Sequence, residues 1–490
     1  MNSTSPISST TPERHVLVVF GATGDLAHRK VLPALFDLNR TGSAKDRAIV
    51  VGVARAGLDD EQFRASVRES LLKHTDKAAE VDAWLSQRVF FQSVGDGSAE
   101  SYTALKDRIE ALERQHNLYQ HRIFYLALPL PAFPPTIEAL GAAGLNTSKG
   151  WTRLVVEKPF GHDLPSAQSL NALIHRFFDE SSVYRLDHYL GKESVQNIIA
   201  FRFGNAIWEP LWNRNHIKQV EITVAEELGV EARGSFYEGV GAVRDIMQNH
   251  MMQLLALTAM EPPSILDGTS VANEKVKVLQ AMSPILPEHA IFGQYAAGKL
   301  DGKLLKGYRE EPGVSPTSDT ETFGAAVLHI NNWRWNGVPF CMRTGKRMPR
   351  KVSRIVVTFH QPPAAVFNPY VVCGLSCNRL EITLQPNEGF NLAFVTKMPG
   401  EGMHLATQEM RFRYADYFGP LPEAYLTLML DVMRGDHTLF VRNDEVEASW
   451  NLFEPLLNAR PKVYQYPAGT WGPALAEQLL SRSGTCWTDL

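Results

Sequence analysis

Within YRLDHYLGKE, residues 184–193, an acid, an imidazole, a phenol and an amine stand close together: Asp187, His188, Tyr189 and Lys192. Any one of them has an ordinary structural use. Together they look like a site for an anion, held on cationic and hydroxyl donors, plus an acid/base. A second stretch, VVFGATGDLAHRK at 18–30, sets Gly21 and Gly24 between an apolar run and a helix-like pattern with apolar positions Ala27, Val31, Ala34, Leu35 and Leu38. A glycine turn that opens a helix offers free N–H groups and the positive end of the dipole, which suits a pyrophosphate. The spacing is GxxGxxA, with Ala27 as the third small residue, rather than the commoner GxGxxG. A third stretch, EKPFG at 157–161, closes an apolar run. It puts Lys158 at a strand's carboxyl end, the edge where open α/β sheets bind ligands. A cis Lys158–Pro159 bond would fix the direction of that lysine, and the sequence leaves the isomer open.

The turn Gly21, Ala22, Thr23, Gly24, Asp25 and Leu26 is therefore expected to hold a dinucleotide. An NAD site has an Asp or Glu at the end of the second strand to take the ribose 2′-OH. Here that strand reads VGVARAG, with Arg55 in the acid's place, and Asp25 lies too near the turn to substitute. A cation at that point suits a 2′-phosphate, so the expected cofactor is NADP, with NAD as the weaker alternative.

These residues need a scaffold. HVLVVF (15–20), AIVVGVA (48–54), RIFYLALP (122–129) and TRLVVEKP (152–159) read as buried strands, with helical periodicity at 62–73 and 101–116 between them. That alternation predicts a doubly wound parallel sheet. Past residue 216, KQVEITVAEE (218–227), AAVLHINNWRW (325–335), SRIVVTFHQ (353–361) and NRLEITLQPNE (378–388) alternate apolar and polar residues. Such strands form an antiparallel sheet with one face covered, here by helices expected near 242–260, 422–434 and 444–458. The fold expected is an α/β Rossmann domain over 15–189, then a larger α+β domain over 190–490 with a mostly antiparallel sheet. A disordered tail, 1–14, rich in Ser, Thr and Pro, precedes both.

With 490 residues, two domains is the natural division. A net charge of -4 disfavours non-specific nucleic-acid binding, so an anionic substrate must meet a local basic cluster. No apolar run reaches the roughly 20 residues of a membrane helix, and the N-terminus lacks the apolar core of a secretory signal. The four cysteines, Cys341, Cys373, Cys377 and Cys486, lack the paired spacing of a zinc site, and no metal is expected. Reduced thiols and a cytoplasmic location follow.

GATGDLAHRK, VEKPFG, RLDHYLGKE, RDIMQNHMMQ (244–253), TGKRMPRK (344–351) and LQPNE (384–388) succeed one another in the order found in glucose-6-phosphate dehydrogenases. From about His15 onward the chain resembles a bacterial member of that family. The resemblance implies oxidation of glucose 6-phosphate at C1 to 6-phosphogluconolactone with hydride transfer to NADP. That reaction opens the oxidative pentose phosphate and Entner–Doudoroff routes. It implies that His250 is the base and that Asp187, 63 positions earlier, accepts its hydrogen bond. It assigns the substrate phosphate to His188, Tyr189 and Lys192, with Lys346 and Lys351 reaching the substrate from the second domain. Glu226 and Asp245 would sort the sugar hydroxyls, and Lys158 would touch both cofactor and sugar. Arg347 and Arg350 contribute only to the local field, and Gln385 is either core or a substrate contact. Asp245 and His250, five apart, lie about 140° around an ideal α-helix and so would not share a face. Asp245 is therefore expected at the helix start. RGSFYEG (233–239) departs from the family, with Ser235 where a glycine is usual, which would stiffen that loop. The family forms homodimers or homotetramers. Two other readings stay open: another NAD(P)-dependent sugar oxidoreductase, which would not be expected to carry RLDHYLGKE with RDIMQNH, and a non-catalytic NADP sensor, which loss of His250 or Asp187 would have favoured.

Overall fold

Six consecutive buried residues make β1 (His15–Phe20), the central strand of the first sheet. In chain order there follow α1 (Leu32–Arg40), entered through a π-helical turn at Ala27–Val31, β2 (Ala48–Ala54), α2 (Asp60–His74), α3 (Ala78–Arg88) and β3 (Val89–Ser93). Then come α4 (Ala99–Gln115), β4 (Arg122–Leu126), α5 (Phe133–Ala142), β5 (Thr152–Glu157), α6 (Leu164–His175) and β6 (Val183–Leu186). Three of these helices, α2, α4 and α6, start where a side chain satisfies a free N–H group. Asp59 and Gln62 form a reciprocal capping box on α2, and Asp163 and Ser166 form another on α6. All strands run parallel in the order β3-β2-β1-β4-β5-β6. The order reverses between β1 and β4, which makes their carboxyl ends the ligand crevice.

The chain continues with α7 (Glu193–Phe203), β7 (Ile217–Ala225), the one-turn α8 (Gly234–Tyr237), and a π-helical segment, Val243–Met251, that runs into α9 (Met252–Ala259). After α10 (Gly268–Gln280) come β8 (Ala290–Ala296) and a small hairpin, β9 (Gly298–Leu300) with β10 (Lys303–Leu305). Then follow β11 (Phe323–His329), β12 (Pro339–Gly345), β13 (Val352–Phe359), β14 (Arg379–Gln385), β15 (Gly389–Lys397) and β16 (Leu405–Arg413). The one-turn α11 (Tyr414–Tyr417), α12 (Ala424–Arg434), α13 (Asn443–Ala459), β17 (Val463–Pro467) and α14 (Leu475–Arg482) complete the chain. The second sheet has nine strands in the order β16-β15-β14-β13-β7-β12-β11-β8-β17. It is mostly antiparallel, with β7–β12 and β8–β17 the parallel pairs.

The computed structural model describes residues 11–363, 366–367 and 376–488. They divide into two compact units: residues up to Gly191 with Ile265–Ala272 and Pro422–Val446, and Lys192–Ser264 with Asn273–Leu421 and the chain from Glu447. The boundary expected at 189/190 thus falls at 191/192, and two later segments return to the first unit. The stretch expected near 422–434 to cover the antiparallel sheet is α12, and it belongs to the parallel-sheet unit instead. Its Leu428, Met429, Val432 and Met433 share one buried cluster with Val31, Leu35 and Leu38 of the first unit. Arg153 caps its last turn by donating to the Val432 and Met433 carbonyls, at 2.7 and 2.9 Å. Apolar periodicity identifies a helix but not the partner of its apolar face.

Residues 1–10 of the expected tail and Cys373 lie outside the described residues. Residues 11–14 are tied down rather than loose: Glu13 accepts a 2.6 Å hydrogen bond from the Trp151 indole, and Pro12 is buried. Among the described residues, no helix is long and apolar enough to cross a membrane.

Candidate active site

In the first unit the glycine turn follows β1 directly. Gly21 has φ +76°, and a Cβ there would stand 2.2 Å from the Ala127 carbonyl oxygen just past β4. Only glycine fits, because the backbone passes the switch point too closely for a side chain. Gly21 donates to the Val53 carbonyl at 2.9 Å, and Gly24 donates to Gly21 at 2.9 Å. Ala22 and Ala27 are fully buried. Thr23, Gly24 and Asp25 are exposed, and Leu26 is half-buried. Asp25 pairs with Arg29 one turn on, at 2.6 Å. Arg55 is the first residue after β2; it is exposed and has no ion pair among the described residues.

Strand register places the next pair. β5 and β6 run parallel with Glu157 opposite Leu186. Their successors, Lys158 and Asp187, therefore leave the sheet side by side at its carboxyl edge. The Lys158–Pro159 bond is cis. Asp187 is buried, and its carboxylate accepts the Tyr189 N–H at 2.9 Å, which folds the LDHY turn back on itself. His188 packs edge-on against Tyr189, with ring centroids 5.0 Å apart.

The second unit uses the same device. β7 and β12 are parallel, with Ala225 opposite Gly345, so Glu226 and Lys346 emerge as neighbours and form an ion pair. The antiparallel β13 pairs Val352 with Ala225, which brings exposed Lys351 to the same sheet edge. Lys346 is almost wholly buried, 3.8 Å from the Asp245 carboxylate, with its ammonium 5.0 Å from the centre of the Tyr237 ring. Burial, and then the neighbouring carboxylates of Asp245, Glu321 and Glu226, push the Tyr237 phenol well above its ordinary range, so it remains a hydrogen-bond donor. One ammonium between two acids, with a phenol beside it, offers the mixed acceptors and donors that a polyhydroxylated ligand needs.

Asp245 lies in the first turn of the segment that carries His250, as expected, but the segment is π-helical over Val243–Met251. Pairing i→i+5 widens the turn, so residues five apart lie nearly one above the other. The expected 140° separation, a property of the α-helix, therefore does not hold. The Asn249 side chain braces the wide turn by donating to the Arg244 carbonyl at 3.0 Å and accepting from the His250 N–H at 2.6 Å. His250 is fully buried.

Lys192 donates to Gln385 at 2.7 Å, and Gln385 donates to Ser353 at 3.1 Å. Gln385 is thus a neighbour of a candidate phosphate ligand. Ser235 ties its loop down by donating to the Gly313 carbonyl at 3.2 Å. Arg347 is engaged with Glu311 at 3.1 Å. Each unit thus gathers its own share: the glycine turn, Arg55, Lys158, Asp187, His188 and Tyr189 in the first, and Lys192, Glu226, Asp245, His250, Lys346 and Lys351 in the second. Sequence reasoning passed over Tyr237 and Tyr425. Neither stands in a charged cluster, and only the fold sets them beside one.

Residues 18–197 match the family model for the glucose-6-phosphate dehydrogenase NAD binding domain, and residues 199–488 match that for the C-terminal domain. A glucose-6-phosphate 1-dehydrogenase of Aggregatibacter actinomycetemcomitans is 44% identical over 484 residues, 97% of each chain. One from Mycolicibacterium smegmatis is 45% identical over 483 residues, 96% of each. A solved glucose-6-phosphate dehydrogenase in complex with its substrate glucose-6-phosphate superimposes with a TM-score of 0.91 at 37% identity, covering 98% of this chain and all of that one. A glucose-6-phosphate 1-dehydrogenase from Mycobacterium avium gives 0.84 at 34% identity, covering 97% of this chain and 99% of that one.

Proposed function

This chain belongs to the glucose-6-phosphate dehydrogenase family and carries out the first step of the oxidative pentose phosphate pathway, and we propose that it uses NADP as hydride acceptor with His250 as base and Asp187 as its partner. The C1 hydroxyl of glucose 6-phosphate gives its proton to His250 as the C1 hydride passes to the nicotinamide, leaving 6-phosphogluconolactone. A base that titrates near neutral pH suits that transfer. The Asp187 carboxylate fixes the imidazole tautomer and stabilises the imidazolium that forms, as the acid of a catalytic triad does.

The glycine turn at the switch point would hold the pyrophosphate of NADP, and Arg55 its 2′-phosphate. His188, Tyr189, Lys192 and Lys351 supply charge and donors for the substrate phosphate. Glu226, Asp245 and Lys346 meet the sugar hydroxyls, and Lys158 bridges cofactor and sugar. The observation that carries this reading is the buried Lys346 held between Glu226 and Asp245 on the strand edge next to the His250 helix. A homodimer or homotetramer in the cytoplasm completes the proposal.

The test is direct. Purified protein mixed with glucose 6-phosphate and NADP should raise the absorbance of reduced cofactor, with kcat/KM higher than with NAD. Turnover with NAD at least equal to that with NADP would reject the cofactor assignment.

A further inference from the structure

The Glu157 carboxyl is buried at the end of β5, 4% exposed, immediately before Lys158. Two phenols point at one of its oxygens, Oε1. Tyr125 from β4 donates to it at 2.5 Å, and Tyr425 from α12 donates at 3.2 Å. Tyr425 has a second neighbour: its ring lies nearly parallel to the His188 imidazole, 15° between planes and 6.5 Å between centroids. A helix from late in the chain is therefore hydrogen-bonded on one side to the strand that delivers Lys158. On the other side it lies against the ring that follows Asp187. All of these residues belong to the first unit.

We propose that Glu157 is a positioning residue for substrate binding, acting through the Tyr425 phenol on the orientation of His188. The inference rests on the reading of His188 as a phosphate ligand. An ionised Glu157 accepts both phenols at once, which fixes the tilt of Tyr425 and the ring it packs against. A protonated Glu157 offers the phenols only a neutral oxygen, a weaker acceptor than a carboxylate, so both hydrogen bonds loosen. Burial raises the Glu157 carboxyl to about 7, against the opposing pull of the two phenol hydrogen bonds and the Lys158 charge. The groups that face it are Tyr125 from β4, Tyr425 from α12 and Lys158, the residue just after β5, with Asp187 and Glu423 beyond Tyr425. The carboxylate forms as pH rises through about 7, so substrate affinity gains on that side and weakens below it.

Two variants test this. Glu157→Gln holds the phenols on a neutral oxygen at every pH, like the protonated acid, and removes the titration. Tyr425→Phe keeps the ring and removes the hydrogen bond. With Glu157→Gln, the inflection near pH 7 in the KM for glucose 6-phosphate should disappear, while the KM for NADP is unchanged. With Tyr425→Phe, the KM for glucose 6-phosphate should rise several-fold at pH 8, with kcat within about twofold. A merely structural role would lower the thermal midpoint without separating the two KM values. His188→Ala is the control. If it raises the KM for glucose 6-phosphate while Tyr425→Phe and Glu157→Gln keep the wild-type KM and pH profile, the inference is overturned and the ligand reading stands. If His188→Ala itself leaves KM unchanged, the reading of His188 as a phosphate ligand fails. Should Glu157→Gln not fold, Tyr425→Phe decides alone.

Discussion

Arg55 is the residue proposed to decide cofactor choice. It stands exposed at the end of β2, where an NAD site would present an acid, and no carboxylate competes for it among the described residues. A charge-assisted contact to a phosphate is worth about 1.5–3 kcal/mol, roughly 10- to 100-fold in affinity. Arg55→Ala should raise the KM for NADP by about that factor and leave the KM for NAD within twofold, as read from initial rates with each cofactor. Equal changes for both would mean that Arg55 does not read the 2′-phosphate. This assignment was open to sequence reasoning because it needs only a strand end and a residue type. The arrangement around Lys346 was not. Its two carboxylate neighbours, Glu226 and Asp245, are separated from it along the chain by about a hundred residues; strand register brings Glu226 beside it, and the helical segment Val243–Met251 brings Asp245.

Parallel strand ends set the positions of the site residues at the level of elements. Three pairs of neighbours leave adjacent strands at the carboxyl ends of their own sheets: in the first unit the turn at Gly21 against Ala127 and Lys158 beside Asp187, and in the second Glu226 beside Lys346. The first of these pairs leaves no space for a methyl group. Gly21→Ala would place a Cβ 2.2 Å from the Ala127 oxygen at φ +76°. Left-handed strain alone costs about 1–2 kcal/mol, and the clash adds to it. The variant should unfold at a lower midpoint and bind NADP more than tenfold less tightly by fluorescence titration. Wild-type values for both would show that the turn tolerates a side chain and does not hold the pyrophosphate closely. The sequence made β1 and β2 legible to the residue, because their apolar runs are continuous. Short strands such as β3 and β6, five and four residues long, carry too little pattern to stand out. The π-helical segments were invisible for another reason. Their periodicity differs little from that of an α-helix over two turns, yet they change which residues share a face at the His250 helix.

For the molecule as a whole, the chain order of motifs and the spatial units do not coincide. Residues 265–272, from the middle of the sequence, and the helix α12, from late in it, join the unit that begins it. The change from buried runs to alternating strands near residue 216 located the two fold types correctly, because that contrast is a property of each sheet's exposure. It could not show that α12 crosses back, since an apolar helix face fits either sheet. The proposed dyad draws one member from each unit, Asp187 from the first and His250 from the second. Its most direct test is steady-state kinetics of His250→Asn, with glucose 6-phosphate affinity measured separately by titration. With His250 as the base, kcat falls by about 10²–10⁴, the usual contribution of a positioned general base, while the dissociation constant for glucose 6-phosphate stays within a few-fold of wild type. A kcat close to wild type would contradict it and remove His250 from the chemistry.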